Sequence, residues 1–198
     1  AIIGILVIIS GLFFNQNSDP VIPDDNGDKI IGNSTITIAA FNIQIFGKTK
    51  RAKLGVMEVL VRIVREFDLV LVQELRDSSE TTAPLFLEMI NNESGPVYDF
   101  VRSDRLGRSS SKEAYAYFYN TETVAFVTGS EYVYKDTCDI FEREPYIASF
   151  ISGTFDFTLV GIHTKPTDAC NEIGNLTCVV SSIMNEGNES DIIVMGDF

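Results

Sequence analysis

Two segments decide the fold class: Thr35-Ile36-Thr37-Ile38-Ala39-Ala40-Phe41-Asn42-Ile43 and Asp68-Leu69-Val70-Leu71-Val72-Gln73-Glu74. The first begins with alternating character, the period of a strand. The second is a continuous apolar run that ends in polar groups. Between them, over 51–67, Leu54, Met57, Leu60 or Val61, Val64 and Phe67 recur every three or four residues, which predicts an amphipathic helix. A strand–helix–strand unit crosses over between its strands, so the two are expected to lie parallel in one sheet.

Outward from this unit, a second helix is predicted over 82–91, with Pro84 in its first turn. Strand-like segments follow at 98–102, 115–119, 123–127, 132–134, 146–151 and 155–162, close enough together to predict antiparallel hairpins. Thr167 or Asp168 caps a further helix running to about Met184, and 191–198 closes the chain as a buried strand. There is no internal repeat. This mixture predicts an α/β sandwich with helices outside packed sheets.

With 198 residues, 45% hydrophobic and 11% aromatic, the chain is sized for one domain with a real core. Its net charge of −13 excludes a histone-like protein that holds nucleic acid by bulk positive charge. An enzyme that meets a phosphodiester through bound divalent cations is not excluded, because the ions reverse the local sign of charge. Residues 1–14 are almost wholly apolar, short of the roughly 20 residues of a membrane-spanning helix. They suit a signal-peptide h-region or an uncleaved N-terminal anchor, and the chain is expected to begin upstream of Ala1. Residues 15–34, rich in Asn, Asp, Gly and Pro, read as a flexible linker, leaving 35–198 as the domain. Export is the expectation, with the protein secreted or anchored at the cell surface through membrane attachment of 1–14. Sequons at Asn33, Asn92, Asn175 and Asn188 agree with this weakly. Cys138, Cys170 and Cys178 leave one thiol over. Cys170 and Cys178, eight apart in a predicted helix, are about 12 Å apart along its axis, too far for a disulfide.

Four apolar strands carry a polar residue at or near their C-terminal end: Asn42, Glu74, His163 and Asp197. Each has a plain structural reading: a turn cap for Asn42, a pair with Arg76 for Glu74, a Gly-Asp turn for Asp197, and a hydrogen-bonded core histidine for His163. Strand ends gather at one rim in layered α/β folds, and an amide, two acids and the chain's only imidazole there make a metal-assisted site. A hard cation such as Mg²⁺ needs only one or two carboxylates and keeps several waters. The histidine is suited to moving a proton near neutral pH.

Longer strings are more specific. Residues 38–43 (Ile-Ala-Ala-Phe-Asn-Ile) and 70–78 (Val-Leu-Val-Gln-Glu-Leu-Arg-Asp-Ser) resemble the first two blocks of the deoxyribonuclease I family, within the endonuclease/exonuclease/phosphatase superfamily. Leu106-Gly107-Arg108 with Lys112-Glu113 and Tyr115, Phe141-Glu142-Arg143-Glu144-Pro145, 161–169 around His163, and Val194-Met195-Gly196-Asp197-Phe198 resemble later blocks, in order. The resemblance implies a four-layer α/β/β/α sandwich. It implies Glu74 as metal ligand with Asn42 beside it as a ligand or phosphate contact. His163 is implied as a catalytic histidine, Glu113 as the carboxylate that orients it, and Asp197 as the holder of metal or attacking water. Arg76 is implied in the DNA minor groove and Arg143 near the scissile phosphate.

Two substrate contacts depart from the family: Gln44 stands where the mammalian enzymes have arginine, and Ser111 where they have a tyrosine packing on deoxyribose. The family's next Asn, a later Asp and a Ser-Asp-His block with a second histidine would fall beyond Phe198. The sandwich is thus expected to be incomplete at the C-terminus, with an unpaired sheet edge, and these 198 residues alone to fold poorly and be inactive. The implied function is divalent-metal-dependent hydrolysis of DNA phosphodiesters with little sequence specificity, using Mg²⁺, or Ca²⁺ or Mn²⁺ in its place. DNA is the implied partner, with no stable protein partner and a monomeric complete protein. Two alternatives stand beside it: a phosphodiesterase or phosphatase of the same superfamily acting on phospholipid or nucleotide, and a non-catalytic binding protein on the same scaffold.

Overall fold

The computed structural model describes residues 6–13, 35–187 and 190–198. Strand β1 (Leu6–Phe13) pairs antiparallel with β2 (Thr35–Phe46), and β2 pairs in parallel with β3 (Leu69–Leu75), as the strand–helix–strand reading requires. Between β2 and β3 lie a four-residue helix α1 (Lys48–Arg51) and α2 (Leu54–Val64). The helix predicted over 51–67 is shorter than expected: α2 is capped by Lys53, whose backbone is non-helical, and ends at Val64, while Arg51 belongs to the separate α1 and Leu54 is exposed. Next come α3 (Thr82–Asn91), with Pro84 in its first turn, β4 (Tyr98–Arg102) and β5 (Ala114–Asn120). The first sheet has the order β1-β2-β3-β5-β4.

Short strands β6 (Ala125–Phe126) and β7 (Tyr132–Val133) both pair with β8 (Tyr146–Ser152), which forms an antiparallel hairpin with β9 (Phe155–His163). Helix α4 (Ala169–Gly187) then crosses to β10 (Ile192–Asp197), parallel to β9. The second sheet runs β10-β9-β8-β6, with β10 at its edge.

Side-chain alternation builds the layers. On β3, Val70 and Val72 pack against α2 and α3 while Leu69 and Leu71 face the second sheet. Both faces are buried, which is why the run is apolar without interruption. On β5 the same division sends Ala116 and Phe118 outward and Tyr115, Tyr117 and Tyr119 inward. Val160 and Ile162 of β9 turn away from the first sheet to meet Leu176, Val179 and Ile183 of α4. Three apolar cores thus separate four layers, the α/β/β/α order expected from the sequence. Each buried aliphatic side chain contributes about 1.5–3 kcal/mol.

Gly161 lets the two sheets approach. A Cβ there would lie 2.7 Å from the Tyr117 hydroxyl and 3.1 Å from a Leu71 methyl. Gly161→Ala is expected to cost about 1–3 kcal/mol through overpacking, read as a lowered urea midpoint with an unchanged m-value.

Of the apolar leader, residues 6–13 run as an edge strand; residues 1–5, the linker at 15–34, and the sequons at Asn33 and Asn188 lie outside the described residues. No helix among the described residues is long and apolar enough to cross a membrane. Cys138, Cys170 and Cys178 are free and exposed, the last two on α4 as predicted.

Candidate active site

Asn42, Glu74, His163 and Asp197 meet at one rim, where the C-terminal ends of β2, β3, β9 and β10 come together. Asp197 is the register partner of His163 across the parallel β9–β10 pair. Asn42 Nδ2 donates to Asp197 Oδ2 at 2.7 Å and to Glu74 Oε1 at 3.1 Å, so one carboxamide bridges two carboxylates from opposite sheets. Its Oδ1 accepts the Gln44 N–H at 2.8 Å.

Both strands of the first sheet are irregular here. The β2–β3 register slips between Asn42 and Phe46, and Gln44, Ile45 and Glu74 have φ of 52°, 54° and 60°. Such left-handed geometry costs a non-glycine residue about 1–3 kcal/mol and needs local compensation. Two groups supply it. Glu74 Oε2 accepts the Ile45 N–H at 2.7 Å. The Lys50 ammonium donates to the carbonyls of Ile43 and Gln44, and burial lowers its pKa. The bulge ends regular pairing beside Glu74 and leaves the Gln44 side chain exposed at the rim.

Glu113, just before β5 and 1% exposed, is the hub. Its Oε1 accepts from His163 Nδ1 and from Arg143 Nε, the latter at 2.7 Å. Its Oε2 accepts from Arg76 Nη2 at 3.2 Å. Burial alone would raise the Glu113 carboxyl, but the hydrogen bond and charge of His163, with the Arg143 guanidinium, outweigh it and hold the pKa below its usual value. Because Nδ1 faces the carboxylate, Nε2 points the other way, 3.8 Å from Asp197 Oδ2. Arg76 also lies 3.4 Å from Glu74. The polar groups therefore close a ring: Glu113, His163, Asp197, Asn42, Glu74, Arg76 and back to Glu113. Arg76 Nη1 further reaches the exposed Ser111 hydroxyl at 3.3 Å.

Three supports escaped the sequence reading. The Tyr115 hydroxyl accepts the His163 N–H at 2.8 Å, and Gln73 Nε2 donates to the Ile162 carbonyl at 2.6 Å across the sandwich. Buried polar side chains on otherwise apolar strands were the available signal, without a partner named. The third, Asp77, accepts bonds from Ser79, Thr81, Thr82 and Arg51, and so fixes the turn after Arg76. Burial raises the Asp77 carboxyl, but the bonds from Ser79, Thr82 and Thr81 prevail and hold it far below the usual range. A depressed carboxylate adds stability that is complete above its unfolded value, about 3.9, and lost as pH falls through the lower folded value. Asp77→Asn is accordingly expected to flatten the fall in unfolding midpoint below about pH 4, measured by thermal melts from pH 2 to 7.

The donors present suit a hard divalent cation: two carboxylates, buried Glu74 and half-buried Asp197, both accept from the one Asn42 Nδ2. Among the described residues no three His, Cys, Asp or Glu side chains form a closed metal cluster. A site with few protein ligands and several waters fits this arrangement.

Two packed sheets flanked by helices are the fold of solved proteins of the endonuclease/exonuclease/phosphatase class. A member of that class from Bacteroides thetaiotaomicron superposes with a TM-score of 0.58 at 16% identity, covering 82% of this chain and 62% of that one. One from Leptotrichia buccalis gives 0.55 at 15%, covering 80% and 65%. No family model matches the sequence. Among curated proteins, the chain is 36% identical to deoxyribonuclease-1 of Bos taurus over 172 residues, 83% of this chain and 60% of the relative. It is 37% identical to deoxyribonuclease-1 of Homo sapiens over 175 residues, 84% and 61%. It is 32% identical to deoxyribonuclease gamma of Rattus norvegicus over 176 residues, 84% and 56%. The chain is thus similar to deoxyribonucleases over about five-sixths of its own length, and it spans about three-fifths of the length of these relatives.

Proposed function

We propose that this chain carries a metal-assisted site of an endonuclease that hydrolyses DNA phosphodiesters with little sequence specificity. The observation that supports this best is the His163–Glu113 pair facing Asp197 across the Asn42–Glu74 bridge. Glu113 fixes the Nδ1–H tautomer and stabilises the imidazolium. Nε2 is then the atom that exchanges a proton with the attacking water or the departing oxygen. Asp197 holds the nucleophile near that nitrogen. Glu74, with Asn42 beside it and Asp197 opposite, would hold a divalent cation, Mg²⁺ in the first instance with Ca²⁺ or Mn²⁺ as substitutes. Such an ion supplies charge neutralisation at the phosphate. Arg76, Arg143 and Ser111 line the approach as phosphate and groove contacts, with Gln44 exposed beside them.

The reading extends to a monomeric complete protein acting on DNA outside the cell. Nicking of supercoiled plasmid tests it. Activity of the complete protein should require a divalent cation, vanish with EDTA, and fall at least about 10²-fold in His163→Ala. Undiminished nicking by that variant would overturn the role given to His163. Ser111, too small to stack on a sugar, leaves room for another phosphoester. Faster turnover of a phospholipid or nucleotide than of plasmid would favour that substrate.

A further inference from the structure

Glu172 is a wholly buried carboxylate (0% exposed) on the first turn of α4, and it makes no direct contact with the ring of polar groups at the rim. Its Oε1 accepts the backbone N–H of Glu142 at 3.2 Å, and its Oε2 accepts the backbone N–H of Lys165 at 3.3 Å. Glu142 immediately precedes Arg143, and Lys165 follows His163 by two residues. Arg143 and His163 are the two side chains that converge on the same atom, Glu113 Oε1. One carboxylate thus ties together, from behind, the two loops whose side chains meet in front.

Burial raises the Glu172 carboxyl, partly offset by its two backbone N–H bonds and the Arg143 charge. An ion buried against two neutral donors is a costly way to gain stability alone, since apolar replacements of buried charge are often neutral or stabilising. What a carboxylate offers over an apolar side chain is two acceptor oxygens at fixed spacing, which set the distance between two backbones. A structural bond between the Lys165 ammonium and Glu142, 3.6 Å apart, joins the same residues, but it is solvent-exposed and weak.

We infer that Glu172 is a positioning residue: by clamping the backbone at Glu142 and Lys165, it sets the approach of Arg143 and His163 to Glu113 and so fixes the imidazole for proton transfer. The kinetic part rests on the phosphodiesterase reading; the geometric part does not. Two variants separate the alternatives. Glu172→Gln keeps the volume and one acceptor but turns an NH₂ toward one backbone N–H. Glu172→Ala removes both acceptors.

The first readout is the fraction of the Nδ1–H tautomer of His163, taken from imidazole ¹⁵N shifts and assigned by loss of the signals in His163→Gln. The complete protein should show the Nδ1–H tautomer fixed. Glu172→Gln should show a mixture, and Glu172→Ala, where it folds, a larger loss. The second readout is plasmid nicking, where kcat should fall about 10- to 100-fold with KM within about twofold. A fixed tautomer in folded Glu172→Gln, with kcat unchanged, overturns the inference. A lowered melting temperature with an unaltered tautomer also overturns it and leaves Glu172 as a stability residue. A changed tautomer in a protein that nicks no DNA sustains the positioning role and sinks the nuclease reading instead.

Discussion

Glu113→Gln is expected to lower plasmid nicking by about 10³- to 10⁴-fold and to destabilise the protein by about 3–5 kcal/mol. Three cations or donors converge on this one buried carboxylate: His163, Arg143 and Arg76. Glutamine keeps the shape but removes the charge, and its NH₂ must face at least one of them, donor against donor. Arg143 is nearly buried, so its guanidinium would lose the one carboxylate it is hydrogen-bonded to. His163 would lose the acceptor that fixes its tautomer. Single-turnover nicking and urea unfolding measured on the same preparation test both effects. Wild-type nicking with only the stability lost would separate Glu113 from the chemistry. Because its pKa is depressed, the stability Glu113 contributes is present above the unfolded carboxylate value and lost as pH falls through the lower folded one.

Gly196→Ala is expected to be still more damaging to the fold, at about 4 kcal/mol or more. Gly196 has a φ of 148°, a conformation open to glycine almost alone. A Cβ there would fall 1.8 Å from the Ile162 carbonyl oxygen, which is backbone and already accepts a bond from Gln73. No side-chain rotation relieves that overlap, so β10 must separate from β9. Asp197 would move away from His163 with it. Hydrogen exchange at the amides of His163 and Thr164 gives the check, together with the unfolding midpoint. Protection of the Thr164 amide, which donates to the Asp197 carbonyl at 2.9 Å, should fall toward that of a frayed strand end. An unchanged midpoint would show that β10 tolerates a shift its geometry forbids.

The layers were legible because burial on both faces leaves a local trace. The unbroken run of β3 and the three-to-four spacing of α2 each reflect neighbours that their own periodicity announces. The break between α1 and α2 left no such trace. Leu54 fits the helical period yet lies exposed, because the backbone at Lys53, rather than the pattern of side chains, ends one helix and starts the next. The strand-end residues were legible as candidates for the same reason: a polar group at the end of an apolar run stands out from its neighbours. Glu113 and Arg143 stand on no such pattern and became visible only through longer strings shared with a family.

By itself, then, the sequence determined that β2 and β3 run parallel around a helix, that β3 is an unbroken apolar strand, and that Asn42, Glu74, His163 and Asp197 stand at strand ends; the pairing of residues 6–13 with β2, and of β3 with β5, it did not announce. Only the tertiary structure decided how those four residues are joined at one rim. Asn42 and Asp197 are 155 residues apart in the chain, and His163 and Glu113 are 50 apart. Local periodicity cannot encode a bond of that separation, since it depends on the stacking of two sheets and on left-handed backbone at Gln44, Ile45 and Glu74. The clamp of Glu172 lies at the far end of that same dependence: a helical residue whose partners are two backbone amides, groups that every residue carries and no sequence distinguishes.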